Sequence, residues 1–347
     1  MKLRLLLVSV VAAAALGMLA QGATAKEVAE TDVIASGVSS TGAGIGPDGA
    51  LYAGVAGTAE AADQTLALPA EMAEAFGIES VRFGLHSSVM RVDPETGDVT
   101  TYAGGLPSAS DVVGGEPLIS PTDVIWVGDI MYVLLTGGAP SVGGVAAECP
   151  NGIYRHEDEG SWSLVADINE FNVENPVAFP DAGPEGNPFA IDVRDGAFIV
   201  SDGNHNRLLR ATTDGEITEF AAFDNVVPTG LATTSSGQIL NTWFGPGPHA
   251  PGSSFLVSLA YPTGSVTEVA DTFEQLIDVE IAGGQTYVLQ FGDQQLDENG
   301  PPPPGRLLVL DGGVLKTLVT GLMLPTSVNF VGDTALITSL TGDVTKI

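Results

Sequence analysis

The chain of 347 residues contains four histidines, the side chains best suited to proton transfer and metal binding near neutral pH. His86, His205 and His249 lie in polar segments between apolar runs, whereas His156 ends a short apolar run. A histidine within hydrogen-bond distance of a substrate can act as a general base. These three are therefore the candidate catalytic residues. The alternative is that such segments simply hold polar residues, too far apart to act together.

The segment DGNHN, residues 202–206, places oxygen-bearing side chains at alternate positions, as the start of a calcium loop does. Arg207 stands where such a loop needs glycine, and Thr213 stands where it needs a bidentate glutamate. The segment is therefore not an EF-hand. The alternative is an Asx-stabilised turn in which Asp202 pairs with Arg207.

Two aspartates occupy the same place in two similar strings, Asp123 in PTDV and Asp278 in LIDV. Both lie near the start of an apolar strand, and carboxylates are the ligands that calcium prefers. Together with Asp202 they are the candidate metal ligands, and Ca²⁺ is the cofactor that the sequence suggests. A serine hydrolase is disfavoured because no G-x-S-x-G string occurs and no helix follows a serine at a strand end.

The elements that must position these residues are short strands arranged in a repeat. β-Branched apolar runs alternate with clusters of Gly, Pro, Asn and Asp, which is typical of an all-β chain. Six segments share a turn residue, an apolar strand, a Gly or Asp turn and a second strand: residues 41–53, 121–133, 188–200, 228–240, 276–288 and 325–337. Most are followed by two further strands. Units of four antiparallel strands, repeated roughly every 40 to 50 residues, predict the blades of a β-propeller.

The sixth unit lacks a fourth strand at the C-terminus, because only residues 344–347 remain for its third. The string TDVIASG, residues 31–37, resembles the fourth-strand strings at residues 99–105 and 318–322. We therefore predict that the N-terminal strand completes the last blade, which removes the open edges of the ring. The predicted fold is all-β, a six-bladed β-propeller that forms a single domain over residues 26–347.

In a propeller the loops between second and third strands gather on one face with the loops that enter the innermost strands, and ligands usually bind there. His156, at the end of a third strand, should face the other way, and Asp123 and Asp278 should point toward the axial channel. The predicted ligand-binding face contains Asp202, Asn204, His205, Asn206, His249 and Asp293.

Two segments interrupt the repeat. Residues 59–79 predict a short helix that begins at Pro69 and ends at Gly77. Residues 169–186 contain three prolines and predict a loop without a helix.

Acidic residues outnumber basic ones by 43 to 12, which gives a formal net charge of -31. Such a chain repels phosphate and cannot form a basic patch, so nucleic acid is excluded as a partner. The single cysteine, Cys149, excludes an intrachain disulfide and a cysteine-rich zinc site. We interpret the acid excess as a solvated coat of the whole surface, and weak binding of calcium or a cationic ligand is the alternative.

The N-terminus predicts export. Lys2 and Arg4 precede an apolar run over residues 5–19, and residues 23–25 form the small-x-small string ATA. The run is shorter than the ~20 residues that span a bilayer. We predict a signal peptide over residues 1–25, cleaved after Ala25, and a secreted or periplasmic protein without membrane insertion after cleavage. We expect a monomer.

The strings NPFAIDV and DGAFIVSDGNHNRLLR, at residues 187–193 and 195–210, resemble an NHL-type blade. The mature chain as a whole is similar to the ScyD/ScyE family of exported propellers. The matching strings are SPTDV, DINEFN, NPFAI, VPTGL, LIDV and LPTSV, at residues 120–124, 167–172, 187–191, 227–231, 276–279 and 324–328. This resemblance implies an exported six-bladed propeller and no defined reaction.

Calcium-dependent lactonases of the gluconolactonase type carry acid and amide ligands at the starts of innermost strands. This chain has Thr41-Gly42 where those enzymes carry an early glutamate. We therefore expect a non-catalytic scaffold that binds a small molecule or a protein on its loop-rich face. The alternative is a metal-dependent lactonase, hydrolase or streptogramin-lyase-like enzyme, with His205 or His249 as base and carboxylates holding Ca²⁺.

Overall fold

The computed structural model describes residues 31–58, 60, 63–67, 79–111, 117–137, 150–178, 186–247, 249–292 and 303–347. Within these ranges the chain forms 25 strands and one helix. The predicted signal peptide and the predicted helix from Pro69 to Gly77 lie outside the described residues. No helix in the described part has the length and apolar character needed to cross a membrane.

The strands form six blades of four antiparallel strands each, so the predicted fold is confirmed. Blade 1 contains β2 (Ala43–Ile45), β3 (Leu51–Val55), β5 (Ser80–Val92) and β6 (Val99–Asp111), with β4 (Gln64–Ala67) paired to β5. Blade 2 contains β7 (Pro117–Val127), β8 (Ile130–Thr136), β9 (Gly152–His156) and β10 (Trp162–Asp167). Blade 3 contains β11 (Pro188–Arg194), β12 (Ala197–Asp202), β13 (Arg207–Thr212) and β14 (Ile217–Ala222).

The remaining three blades repeat this order. Blade 4 contains β15 (Pro228–Thr233), β16 (Ile239–Trp243), β17 (Ser254–Ala260) and β18 (Ser265–Phe273). Blade 5 contains β19 (Leu276–Ala282), β20 (Gln285–Gln290), β21 (Gly305–Asp311) and β22 (Val314–Leu322). Blade 6 contains β23 (Pro325–Val331), β24 (Thr334–Ser339), β25 (Val344–Lys346) and, from the other end of the chain, β1 (Asp32–Ala35).

The hydrophobic core lies between neighbouring blades. Tyr132 and Ile153 of blade 2, for example, pack with Ile191 and Phe198 of blade 3. Because inner strands are covered on both faces, they are apolar without alternation, and every residue of β12 is buried. The outer strand β14 is instead only partly buried or exposed.

Ring closure takes place where the sequence predicts it. Strand β1 pairs with β25 in antiparallel register, with Asp32 opposite Lys346. Beyond the strand, the N–H of Val38 donates to the carbonyl of Gly342 over 2.8 Å. Every sheet of the ring is therefore completed within one chain, and the last blade is held by both termini.

A shared irregularity confirms that β1 is a fourth strand. In each blade the ladder between the third and fourth strands skips one residue of the fourth strand, which forms a β-bulge. The skipped residues are Tyr102, Val165, Phe220, Val269 and Leu318 in blades 1 to 5, and Ile34 of β1 in blade 6.

The prediction of a loop without a helix over residues 169–186 is wrong at its start, where helix α1 (Ile168–Glu174) forms. Asp167 caps the helix by accepting the N–H of Glu170 over 2.8 Å. The prolines on which the prediction rested come only after the helix has ended at Asn175. The string DINEFN thus contains a helix start that the prolines concealed.

A chain that begins at Val38 lacks β1 and is expected to unfold more easily. Loss of three or four ladder hydrogen bonds removes roughly 3 kcal/mol, or about 6 °C of melting temperature. It also leaves β25 as an open edge that promotes aggregation. The control is Val33→Ser, because Val33 lies on β1 with 60% of its side chain exposed. Circular dichroism and light scattering measure both effects, and an unchanged melting temperature in the shortened chain contradicts closure by β1.

Candidate functional site

The innermost strands surround an axial channel with a volume of about 400 Å³. Four carboxylic acids line it: Asp123, Asp192, Asp278 and Glu280. Asp123 and Asp278 occupy equivalent positions in blades 2 and 5. Asp192 and Glu280 lie one channel layer further along their strands, two residues beyond the strand position that Asp123 and Asp278 occupy. Neither was identified from the sequence.

Both equivalent aspartates join neighbouring blades. Each accepts the N–H of the following residue with Oδ1, over 2.8 Å at Asp123 and 2.9 Å at Asp278. Oδ2 of Asp123 accepts the N–H of Ile191 in blade 3 over 3.0 Å, and Oδ2 of Asp278 accepts the N–H of Val328 in blade 6 over 2.8 Å. Oδ2 of each carboxyl group therefore links two blades, while Oδ1 fixes the orientation of the side chain against its own strand.

The blade before each aspartate carries a glycine that makes room for it. A Cβ atom on Gly42 would lie 2.8 Å from Oδ1 of Asp123, and one on Gly230 would lie 2.6 Å from Oδ1 of Asp278. These distances are shorter than any ordinary carbon–oxygen contact. Gly42 thus has a packing reason of its own.

Burial makes the channel acids hard to ionise. It raises the pKa of Asp123, Asp278 and Glu280 to about 8 in each case, against the opposing effect of backbone N–H donors. Burial also raises the pKa of Asp192. Mutual repulsion adds to the effect, because Asp192 and Glu280 both raise the pKa of Asp123. Near neutral pH Asp123, Asp278 and Glu280 are therefore largely protonated.

The candidate metal ligands do not form a shared site. Throughout the described ranges, no three Asp, Glu, His or Cys side chains lie close enough together to hold a metal ion. Asp123 and Asp278 line the channel, whereas Asp202 ends the second strand of blade 3 and is fully buried. The chemistry of these oxygens suits Ca²⁺, but their positions do not give it a complete ligand set.

The three candidate histidines have separate partners. His86 lies inside β5 rather than in a loop, because the third strand of blade 1 begins at Ser80, and its Nε2 is 2.8 Å from Oδ2 of Asp63. His249 lies in the loop after β16, and its Nδ1 donates to the carbonyl of Gly245 over 2.9 Å. Burial lowers the pKa of His249, so its ring is neutral near pH 7.

The turn after β12 is the Asx-type turn of the sequence-based alternative. Oδ1 of Asp202 accepts the N–H of His205 over 3.3 Å and that of Asn187 over 2.7 Å. Oδ2 lies 3.2 Å from Nδ1 of His205 and accepts from Asn172 of helix α1 over 3.0 Å. Burial alone raises the pKa of Asp202, but these hydrogen bonds and the nearby positive charges lower it overall.

Arg207 is buried beside this turn, with 1% of its surface exposed. Arg207 is opposite Asp202 in the β12–β13 ladder. Its Nη2 donates to Oδ1 of Asn172 over 2.7 Å, and the amide nitrogen of Asn172 donates to Asp202, so the side chain of Asn172 links the two charges. Its Nη1 is 3.3 Å from a carboxylate oxygen of Glu219, and the guanidinium lies 5.2 Å from the ring centre of Phe171. Nε is buried without a hydrogen-bond partner.

A cleft of about 780 Å³ opens at this point, between the segment that follows helix α1 and strand β14. Its apolar lining includes Phe171, Pro176, Val177, Ile217, Ala222 and Phe223. Its polar lining includes Asn175, His205, Arg207, Thr218, Glu219 and Asp224. Sequence reasoning found only His205 of this set, because the others come from segments up to about 50 residues apart that only the fold brings together.

The other residues of the predicted ligand-binding face have different positions. Oδ1 of Asn206 accepts the N–H groups of Val226 and Val227 over 2.7 and 2.8 Å, which ties the turn to the entry of blade 4. Asn204 is partly buried in the same turn as His205. Asp293 lies outside the described residues.

The raised pKa values of the channel acids predict a loss of stability as pH rises. In the unfolded chain such acids titrate near pH ~4, so from about pH 4 to 8 the folded state binds more protons and the free energy of unfolding falls. Glu280→Gln retains the acceptor for the N–H of Ile281 but cannot ionise. The free energy of unfolding of this variant should fall less as pH rises. At pH 9 it should exceed that of the parent by about 1 kcal/mol, after allowance for solvent in the channel.

Denaturant unfolding at pH 5, 7 and 9 measures this difference. Glu268→Gln, at an exposed position of β18, removes the same charge outside the channel and serves as the control. If the free energy of unfolding falls with pH equally in the two variants, the general acidity of the surface, and not the channel, causes the loss of stability.

No protein family and no curated protein matches this sequence. Among solved structures, the PQQ-bound aldose sugar dehydrogenase of Streptomyces coelicolor is similar with a TM-score of 0.52 at 15% identity, over 92% of this chain and 96% of that one. A gluconolactonase of Xanthomonas campestris is similar with a TM-score of 0.50 at 13% identity, over 87% of this chain and 90% of that one. A chain of the nidogen/laminin complex is similar with a TM-score of 0.51 at 14% identity, over 75% of this chain and 84% of that one. At such low identity these likenesses show the fold alone, and that fold is a β-propeller.

Proposed function

We propose that this chain is an exported propeller of the ScyD/ScyE type that binds a small molecule on its loop-rich face without transforming it. The cleft between helix α1 and β14 carries this proposal. Its volume of about 780 Å³ lies within the range of roughly 300–1,000 Å³ that is usual for small-molecule pockets. It contains His205 of the predicted ligand-binding face.

The lining of the cleft indicates the class of ligand. Phe171, Ile217 and Phe223 offer an apolar wall, while the exposed side chains of Thr218 and Glu219 offer a donor and acceptors. In such a pocket a small number of polar groups in an otherwise apolar wall fixes the orientation of the ligand. We expect an amphipathic molecule, with an apolar body and one hydrogen-bonding end. A protein segment with the same pattern is the second occupant that the cleft admits.

The use of the titratable groups supports binding without catalysis. In Asp123 and Asp278 both carboxyl oxygens accept backbone N–H groups, Oδ1 from the following residue of the same strand and Oδ2 from the neighbouring blade. His249 donates to a backbone carbonyl, and Asp202 accepts from backbone and side-chain donors. A general base or nucleophile needs a reactive atom directed at a substrate, and these contacts direct the atoms at the protein itself.

A metal-dependent lactonase is the second candidate function, and the four carboxyl groups around the channel favour it. To bind a calcium ion there, Asp123 and Asp278 would have to give up backbone N–H contacts, with Glu280 or Asp192 as further ligands. Bound calcium would polarise a lactone carbonyl. The fold shared with a gluconolactonase is compatible with this function and does not decide it.

Export is proposed from residues 1–25 alone, which precede the described residues. Proteins of the ScyD/ScyE type are exported, and the acid-rich composition suits an aqueous compartment outside the cell.

Replacement of Ala222 by tryptophan should abolish ligand binding, because this exposed alanine lines the cleft and the larger side chain fills it. Compounds from a library of amphipathic aromatic molecules should raise the melting temperature of the parent by about 5 °C at ~100 times their Kd. Ala250→Trp, at an exposed alanine outside the cleft, is the matched control and should respond as the parent does. Equal stabilisation of Ala222→Trp would place the ligand elsewhere and overturn the proposal.

Metal analysis separates the two candidate functions. The binding proposal predicts less than stoichiometric calcium in the purified protein and a melting temperature that a chelator leaves unchanged. It also predicts no turnover of lactones or aryl esters with ~1 mM calcium present. Stoichiometric calcium with chelator-sensitive lactone hydrolysis, lost in Asp278→Asn, would establish the lactonase instead.

A further inference from the structure

The face opposite the loop-rich face carries a cluster of five aromatic rings at the junction of blades 1 and 2. We call Tyr52, Tyr102, Trp126, His156 and Trp162 the aromatic platform. Tyr102 lies at its centre and is 42% exposed. The ring centre of Tyr102 is 4.9 Å from Tyr52, 6.0 Å from Trp126 and 5.8 Å from His156, and that of His156 is 4.9 Å from Trp162.

The platform is rigid because its members pack and hydrogen-bond across the two blades. Trp162 donates its indole N–H to the carbonyl of Gly104 over 2.9 Å, which ties blade 2 to blade 1. The hydroxyl of Tyr52 donates to Asp48 over 3.2 Å. Burial lowers the pKa of His156, so its ring is a neutral aromatic member of the cluster near pH 7.

Carboxylates surround the platform. The turn between His156 and Trp162 carries Glu157, Asp158 and Glu159, and Asp129 follows Trp126 by three residues. Asp129, Asp158 and Glu159 make no ion pair with any arginine or lysine in the described part of the chain.

The arginines nearest the platform in the fold are already engaged. Arg91 is 2.8 Å from Asp48, and Arg155 is 3.5 Å from Glu157. Within the described ranges, the cations that stack on aromatic rings do so elsewhere, on Phe171 and on Tyr261. Arg91 reaches the hydroxyl of Tyr52, but in the part of the chain that the structure describes no arginine or lysine stacks on the face of a platform ring, and Asp129, Asp158 and Glu159 have no ion-pair partner.

Another junction of this chain contains a cation beside its aromatic rings. At the junction of blades 3 and 4, Phe220 occupies the bulge position that Tyr102 occupies in blade 1. Phe220 stacks on Tyr261 at 5.7 Å, much as Tyr102 contacts His156. There the guanidinium of Arg194 lies 5.3 Å from the ring centre of Tyr261. This junction thus supplies its own cation.

Blade 1 cannot supply one in the same way. Arg194 ends the first strand of blade 3, two residues after Asp192, and the corresponding residue of blade 1 is Gly46, two residues after Gly44. A Cβ atom on Gly46 would lie 2.3 Å from the ring of Tyr52. A side chain at this position would therefore displace the platform itself, and the cation must come from outside.

We propose that the aromatic platform binds a basic segment of a partner protein, with a lysine or arginine side chain over the rings of Tyr102 and Trp126. The negative faces of aromatic rings attract such cations, and the carboxylates on both sides of the platform match further basic residues. The net charge of -31 steers basic partners toward the protein. The platform extends over two blades, which suits a segment with several cations more than a single small amine. This site is independent of the cleft on the opposite face.

The test is a titration with an amidated ten-residue peptide of alternating lysine and serine, at ~50 mM salt. Two of the three tryptophans belong to the platform, so the intrinsic fluorescence should change on binding. Tyr102→Ala should weaken binding about five- to tenfold, as expected for loss of a cation–π contact. Tyr102→Leu retains apolar bulk without an aromatic face and should weaken it similarly, which separates recognition from packing.

Phe220→Ala is the matched control for the ring, because it changes the equivalent bulge position beside a junction that Arg194 already fills. For the charges, Asp158→Asn with Glu159→Gln should weaken binding, whereas Asp214→Asn with Glu216→Gln, in the corresponding turn of blade 3, should leave it within about twofold. Circular dichroism and melting temperature confirm that each variant is folded.

Three results would overturn the proposal. One is a peptide affinity that falls equally in Tyr102→Ala and Phe220→Ala, which would indicate general loss of structure. Another is equal weakening by the two charge-removing pairs, which would indicate diffuse attraction by the acidic surface. The third is equal binding of a peptide in which glutamate replaces lysine.

Discussion

Closure of the ring is the constraint on which the rest of this structure depends. Each blade has only its neighbours to cover its faces, so blades 1 and 6 are covered on both faces only if the sixth blade meets the first. The pairing of β1 with β25 completes blade 6, and Oγ1 of Thr326 in that blade donates to the carbonyl of Ser40 before blade 1 over 2.7 Å. The axial channel, the cleft and the aromatic platform all lie within or between blades, and they keep their geometry because no blade can rotate independently of the others.

The contacts between blades explain why short strings recur in the sequence. Thr122 and Thr229 repeat the contact of Thr326, and each donates to a carbonyl of the following blade, of Pro188 and of Leu276, over 3.2 Å. The strings PTDV, PTGL and PTSV, which carry much of the resemblance to the ScyD/ScyE family, therefore contain residues that hold the ring together. A resemblance built on such strings transfers the fold and says little about a ligand.

The fold was predictable because its signals are local and repeated, whereas the site was not. The string at residues 31–37 matched other fourth strands, and the shared bulge at Ile34 is the structural basis of that match. The cleft instead depends on Phe171, Arg207 and Glu219, which become neighbours only after folding. Its helix was missed because a local capping signal at Asp167 was outweighed by prolines that lie beyond the helix end. The position of His86 inside β5 likewise depends on the length of a strand, which a single sequence specifies poorly.

Differences between blades are informative because all blades share one backbone. Where blade 3 has Arg194, blade 1 has Gly46, and at both junctions the ring at the bulge position contacts an aromatic ring of the next blade. Where blades 2 and 5 have an aspartate in the channel, blades 1 and 4 have Gly42 and Gly230, and the steric reason is visible in the neighbouring carboxylate. The second difference is explained fully by packing within the ring. The first leaves the described aromatic rings of the platform without a stacked cation, so it is the one that calls for a partner outside the chain.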